Sequence, residues 1–407
     1  MKIFDLRAPS YMPGVNNFIS PQSAAALTIP ASRTEILTLD WNKAEVVRWL
    51  SESFRPYETI KDRGFLCLMK TGCPELWVPS LKTAGRDMIN AHIESRNRVA
   101  RLLISYAGRI SFSSDTWTSP NHRSYMAILA HLEHEGHPLV LPLDLAEVPF
   151  SHTGAALSEV MQRTVLDFGI ATKVLTFTGD NATNNDTLCT EWSKRNPEFL
   201  GDESRIRCIL HTESLAAHII IKQFDVLPGS SAIDMDDTEK VLRELAEDED
   251  ESDNNSEDEL ADDAEGSFDE RAMMSVGERR QHEADVRPMK MVLVKVFYDA
   301  TQYFSSAAPN LAQVIPAMDL IDEHLNDNIF KPDLHPAIRI VLTMAKWLLN
   351  RYYSHTDVTP AYHIAMVLHP CHKLGYFADW NWEPKWIRNA RLSVYNEFTT
   401  HYLKYVT

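Results

Sequence analysis

The chain contains 407 residues, carries a formal net charge of −17 at pH 7, and is 44% apolar. The charge is confined to one tract, because 19 of the 57 acidic residues but only two of the 40 basic ones lie between Asp234 and Glu270. The remainder carries 38 residues of each sign, which excludes a globally basic nucleic-acid-binding protein. The apolar content is enough to fill the cores of two or three domains.

The sequence argues against a membrane or secreted protein. No apolar run approaches the ~20 residues of a membrane span. The first nine residues lack the apolar segment and cleavage site of a secretory signal. The five cysteines are scattered and odd in number, which is typical of reduced thiols in the nucleus or cytosol.

The N-terminal quarter is predicted to be an arm followed by helices. Residues 1–40 show no sustained hydrophobic period, so we expect a loose arm. Residues 41–108 form a helical region. A partial apolar face predicts a helix over Lys43–Phe54, and Ser80 is a suitable N-cap for one or two helices over residues 80–106.

The hydrophobic period changes after residue 108, and residues 109–224 alternate strands with helices. Glu135-Gly136 is a hairpin signal between two alternating runs. Ser151 can cap a helix that stops at Gly169. The predicted strands are 109–117, 124–134, 137–148, 173–178 and 205–210, and the predicted helices are 151–168, 184–192 and 211–223.

The last two regions differ sharply in composition. Residues 225–283 are dominated by Asp, Glu, Ser and Asn, so they offer little to bury and are predicted to be an acidic disordered linker. Residues 284–407 carry apolar stripes at helical spacing, with prolines between them, and are predicted to form an all-α domain.

The strand and helix order, βββαβαβα, is that of the ribonuclease-H-like fold, an α/β core with a mixed sheet. Nucleases of this fold hold two divalent cations on three carboxylates: one midway along the first strand, one at the end of the fourth, and one on a later helix. Here Asp115 lies on the first strand and Asp180 follows the fourth. The alternative is that both are ordinary turn or capping residues.

Four motifs in order resemble the ribonuclease-H-like core of the hAT (hobo–Activator) transposase superfamily, in the form found in BED-zinc-finger-containing transposase-like proteins. The matching segments are Ile110–Ser119, Ser151–Gly154, Thr178–Asn185, and Arg205–Cys208 with His211. Residues 294–402 resemble the hAT-like helical domain that follows in such proteins.

The resemblance implies roles for individual residues. Asp115 and Asp180 take the positions of the first two catalytic carboxylates, which would bind Mg²⁺ or Mn²⁺. Cys208 and His211 take the family's Cys-x-x-His positions. Since two ligands do not make a tetrahedral zinc site, we expect them to pack at a strand-to-helix junction. We expect Trp117 to be a core aromatic beside the site.

Three parts of the family pattern are not found in this sequence. The first is the third catalytic acid, which is a glutamate on a late helix of the family. The second is the dimerisation segment that follows this glutamate, and the third is the BED zinc finger. Loss of one member of a cooperating catalytic set costs orders of magnitude in rate. The expectation is therefore a catalytically inactive, degenerate or truncated transposase, monomeric by default and without zinc.

Nucleic-acid binding would need a local basic surface. Arg86, Arg96, Arg98 and Arg101 lie just before the core and are the candidates for DNA contacts, although a solvated helix face is the simpler interpretation. The acidic tract could attract a protein partner by mimicking phosphate, or serve only as a solubilising linker.

The preferred hypothesis is a transposon-derived, DNA-binding protein of the nucleus with an inactive core. The alternatives are an active hAT-type transposase that uses two divalent metals, and a protein-interaction scaffold in which the core is only structural.

Overall fold

The computed structural model describes residues 41–72, 74–148, 153–224, 297, 299–304, 311–332, 334 and 336–403. The described residues before Ala107 form one compact unit, and those from Ala107 onward form another. The predicted arm at 1–40 and acidic linker at 225–283 lie outside the described residues. Among the described helices, none is long and apolar enough to cross a membrane.

The N-terminal unit contains three helices around a small core. They are α1 (Trp41–Glu52), α2 (Arg63–Lys70) and α3 (Leu81–Ser105), with a 3₁₀ turn at Tyr57–Lys61. Ser80 caps α3 as predicted, because its hydroxyl accepts the backbone N–H of Thr83 at 3.2 Å. The rings of Trp49 and Phe65 stack at 4.9 Å beside the buried core.

The second unit is built on a five-stranded mixed sheet. Its strands are β1 (Ile110–Thr118), β2 (Ser124–His134), β3 (His137–Val148), β4 (Val174–Gly179) and β5 (Arg205–Arg207), in the order β3-β2-β1-β4-β5. The first three strands pair antiparallel, whereas β4 runs parallel to both β1 and β5. This order confirms the predicted ribonuclease-H-like fold.

The turn between β2 and β3 is also as predicted. Glu135 and Gly136 both have positive φ, 52° and 82°, which is the backbone of a type I′ hairpin turn. The bounds of β2 and β3 match the alternating runs of the sequence.

The central strands have one apolar face and one polar face. Phe112 of β1 and Phe177 of β4 both meet the buried ring of Trp192, at centroid distances of 6.4 and 6.1 Å. Trp192 belongs to α5 (Thr183–Arg195), which packs beside α4 (Gly154–Asp167). On the opposite face the hydroxyl of Thr176 donates to that of Ser111 at 2.9 Å. Alternation along the strands then places Asp115 and Asp180 on the polar face.

Two predicted boundaries are wrong. The fifth strand ends at Arg207 rather than Leu210, because α6 (Ile209–Phe224) begins two residues later; the backbone N–H of Cys208 still donates to the carbonyl oxygen of Gly179 at 3.0 Å. A short apolar run does not by itself separate strand from helix. The cap of α4 is Thr153, which accepts the N–H of Ala156 at 3.4 Å; Ser151 lies outside the described residues.

The C-terminal part is helical, as predicted. Its helices are α7 (Val314–Ile329), α8 (Pro336–Thr356), α9 (Pro360–Leu368), α10 (Lys373–Asp379) and α11 (Pro384–Glu397), and residues 297 and 299–304 are also helical. The predicted stripe on α8 is buried in a core that it shares with α6. Of the sheet, this core includes Ile206 of β5.

The helical part also covers the edge of the sheet at β5. The Tyr362 hydroxyl accepts the backbone N–H of Arg207 at 3.1 Å. The Thr359 hydroxyl lies 2.5 Å from the carbonyl oxygen of Arg205. Edge strands present unpaired backbone groups, and here side chains at the start of α9 satisfy two of them.

Candidate functional site

Asp115 and Asp180 lie together where β4 ends beside the middle of β1. Ser113 pairs in parallel register with Thr178, and each aspartate follows its paired residue by two positions. Neighbouring strands are separated by about 4.8 Å, so both carboxylates leave the sheet at the same level and on the same face. The two residues predicted from the strand order are therefore brought together.

The two carboxylates influence one another electrostatically. The pKa of Asp115 is raised, first by burial of its carboxyl group and then by the negative charge of Asp180, while the backbone N–H of Thr116 opposes the shift. The residue as a whole remains exposed, so solvent or a ligand reaches it. A divalent cation between the carboxylates would relieve their repulsion.

Asp180 is held by neighbours that the sequence analysis did not single out. Its Oδ1 accepts the backbone N–H of Ala182 at 3.0 Å and also the side-chain amide of the buried Asn185. These bonds leave Oδ2 for a cation. The sequence did contain a sign of this contact, because Asn185 lies in the first turn of the helix that follows Gly179-Asp180.

The carboxylate pair could supply part of the ligand shell of one divalent cation. Mg²⁺ is commonly bound by one or two carboxylates, with water and substrate phosphates completing the shell. Within the described ranges, no group of three or more His, Cys, Asp or Glu side chains could hold a metal ion. The pair could thus supply carboxylate ligands, and a bound phosphate would have to supply others.

Glu213 is the acidic residue of α6, and it does not join Asp115 and Asp180 in a group that could hold a metal ion. The preceding Thr212 accepts the side-chain amide of Asn181 at 3.0 Å, and one helical residue turns the chain by about 100°. Glu213 is fully buried, and both its oxygens are without a hydrogen-bond partner. Burial raises its pKa well above the ordinary value. It is not a third ligand for the pair.

The three residues implied by the family motif lie near the same end of the sheet. Cys208 and His211 are partly buried at the junction of β5 and α6, where packing was expected; a role beyond packing stays untested. Trp117 shares the strand face of Asp115, but it is 40% exposed. Its ring centroid lies 6.1 Å from that of Tyr125. The prediction of a core aromatic is wrong, because the end of β1 lies at the rim of the sheet.

The four arginines proposed for DNA contacts all lie on α3. At about 100° per residue, the exposed Arg86, Arg98 and Arg101 fall within about 120° of the helix circumference, whereas Arg96 points about 160° away from Arg98. Arg86 forms an exposed ion pair with Asp87 at 3.7 Å. Three of the four therefore share one side of the helix, spread over about 22 Å of its length.

A second basic group, missed from the sequence, lies next to Asp180. Arg205 is only 2% exposed; it forms an ion pair with Asp186 and donates from Nη2 to the backbone oxygen of Asp180 at 3.0 Å. Arg207 donates to the same Asp186 oxygen at 3.0 Å. Two guanidinium groups thus share one carboxylate. The alternating Arg-Ile-Arg of β5 was the available signal, since alternate residues share a strand face.

Comparison with known families supports the fold and its origin. Residues 113–197 match the family described as the ZBED1 RNase-like domain. The match begins in β1 and extends just past the end of α5, so it contains both Asp115 and Asp180.

Three curated proteins are similar to parts of the chain. A Talaromyces stipitatus protein named as the transcriptional regulator tpeD is 26% identical over 202 residues, which is 48% of this chain and 24% of that protein. Two maize proteins named as the AC and AC9 transposases are each 22% identical over 169 residues, or 40% of this chain and 21% and 20% of theirs. The chain thus aligns with only about a fifth to a quarter of each relative's length. These matches confirm the predicted resemblance: residues 113–197 match the ZBED1 RNase-like domain, and part of the chain is similar to proteins named as AC transposases.

Proposed function

We propose that this chain is a transposon-derived DNA-binding protein whose ribonuclease-H-like core is catalytically inactive on its own. The coupled pair of Asp115 and Asp180 carries this proposal. Two adjacent carboxylates are suited to one cation-bound phosphate, yet the described residues add no third acid that would complete a metal site. A phosphoryl-transfer centre with two metals needs more ligands than this pair supplies.

The named activities of the relatives support a function on DNA in the nucleus. One relative is named as a transcriptional regulator and two as transposases. The exposed Arg86, Arg98 and Arg101 of α3 supply positive charge that a DNA backbone requires. The acidic tract at 234–270 is then a solubilising linker or a surface for a basic protein partner, as its charge allows.

An active hAT-type transposase is the second candidate. It is favoured by the mutual repulsion of Asp115 and Asp180, which is typical of carboxylates that share divalent cations. It requires a third carboxylate to reach the pair, from another part of the chain or from a partner.

Two assays on the full chain separate the candidates. Fluorescence anisotropy with a labelled oligonucleotide measures DNA binding, and conversion of supercoiled plasmid to nicked circles in Mn²⁺ measures cleavage. We expect binding without nicking. Absence of binding at low salt would refute the proposal. The transposase would be established instead if the wild type nicks the plasmid, Asp180→Asn loses this activity, and the exposed control Asp379→Asn keeps it.

A further inference from the structure

Helix α8 combines a basic composition with an unusual exposed face. Its 21 residues include Arg339, Lys346 and Arg351 but no Asp or Glu. It packs against α6 through its buried stripe. The opposite face is available to solvent over most of the helix.

That exposed face begins apolar and ends basic. Ile340, Met344 and Trp347 are all exposed and follow one another at a spacing of four and three residues, which keeps them on one side of the helix. Arg351 follows one turn after Trp347 and is also exposed, and His355 follows one turn later. Side chains four residues apart on a helix are neighbours, with about 5–6 Å between their Cβ atoms.

The basic end of this face meets the arginines of β5. The pKa of His355 is lowered, first by burial and then by the positive charge of Arg207, with Arg351 and Arg205 acting in the same direction and Asp186 opposing them. Three guanidinium groups and one carboxylate therefore lie within electrostatic reach of one histidine. Asp186 pairs with both Arg205 and Arg207 and so neutralises one of them, which leaves one further positive charge in addition to Arg351.

The same charged group is connected to the carboxylate pair. Arg205 contacts both the backbone oxygen of Asp180 and the carboxylate of Asp186. Asp186 follows Asn185, which holds the Asp180 side chain. A strand whose phosphate lay on Arg207 would therefore continue toward Asp180.

We propose that the exposed face of α8 binds single-stranded DNA, with Arg207 and Arg351 contacting a backbone phosphate and Trp347 stacking on an unpaired base. This inference rests on the proposed function and adds the surface and the form of DNA. Charge complementarity selects a polyanion, because this acid-free helix carries the exposed Arg351 and two arginines of β5 share the single carboxylate of Asp186. Lys346 does not contribute, since it pairs with Asp322. An exposed tryptophan one turn from an arginine is suited to a base and its phosphate.

The test uses the full chain and a labelled oligothymidine in anisotropy titrations over a range of salt concentrations. Stacking on one base contributes about 1–3 kcal/mol, so Trp347→Ala should weaken binding about 5- to 150-fold. Arg351→Gln should reduce the slope of log K against log salt by about 0.7, the value for one phosphate contact on a single strand. Duplex DNA should be affected less by Trp347→Ala, since its bases are paired.

Matched controls are available on α11. Trp386 is 51% exposed, close to the 54% of Trp347, and Arg388 is an exposed arginine. Trp386→Ala and Arg388→Gln should leave both affinity and salt slope within twofold of the wild type. Because all four side chains are exposed, these substitutions test contact rather than folding.

The outcomes distinguish this inference from the proposed function. If the wild type binds DNA and the α8 variants behave like the α11 controls, the inference is refuted while DNA binding stands. If the wild type does not bind, both fail. As a readout without substitutions, photo-crosslinking of an oligonucleotide that contains 4-thiothymidine should label the peptide 336–356; labelling only elsewhere would overturn the inference.

Discussion

The hydrogen bond between Tyr362 and β5 should contribute measurably to stability. Tyr362 is 3% exposed, and its hydroxyl accepts the backbone N–H of Arg207 at 3.1 Å. Tyr362→Phe removes the acceptor and leaves the N–H without a partner at the edge of the sheet. A buried donor left without a partner costs about 1–3 kcal/mol, so we expect the free energy of unfolding to fall by about that amount.

Equilibrium unfolding of the full chain in guanidinium chloride measures this change. The midpoint should move to lower denaturant with an unchanged slope, because the area exposed on unfolding is the same. Tyr395→Phe on the exposed side of α11 is the matched control, and its effect should stay within about 0.5 kcal/mol. A Tyr362→Phe protein as stable as that control would show that the α9 contact does not support the sheet edge.

Three further predictions concern the core and the site. Gly154→Ala should destabilise the protein by about 1–3 kcal/mol, because an added Cβ would lie 2.5 Å from backbone atoms of α5. Gly375→Ala is the control, since nothing lies within 4 Å of a Cβ added there. Thermal denaturation of both variants checks this, and equal melting temperatures would contradict it. The raised pKa of the buried Glu213 favours its protonated form in the folded state, so stability should fall as pH rises above the ordinary carboxyl pKa of about 4.3. Glu213→Gln should flatten the melting temperature against pH, and an unchanged slope would contradict this. Mn²⁺ should raise the melting temperature of the wild type but not of Asp115→Asn, and an equal rise in both would remove Asp115 from the site.

Local patterns were sufficient to predict most of the sheet. The alternation of β2 and β3 and the Glu-Gly turn between them match the structure because backbone preference and burial agree there. Asp115 and Asp180 could be paired because strand order alone places the end of β4 beside β1. The early end of β5 could not be predicted, since the short apolar run 208–210 fits a strand as well as the start of α6.

The polar neighbours of the site were beyond the reach of local patterns. The contact of Arg205 with Asp186 and the covering of β5 by Tyr362 join residues that are distant in sequence. Trp117 was misjudged for a related reason. Aromatic residues in strands are usually covered, but exposure at the end of a strand depends on which element packs over that rim.

The most direct test of a DNA-binding carboxylate centre is one anisotropy titration of the full chain with a labelled oligonucleotide, in Mg²⁺ and again in EDTA. The account predicts binding in both, with tighter binding in Mg²⁺ for the wild type and no such gain when Asp115 and Asp180 are both changed to Asn. Absence of binding at low salt, or an equal gain from Mg²⁺ in the wild type and the double variant, would contradict it.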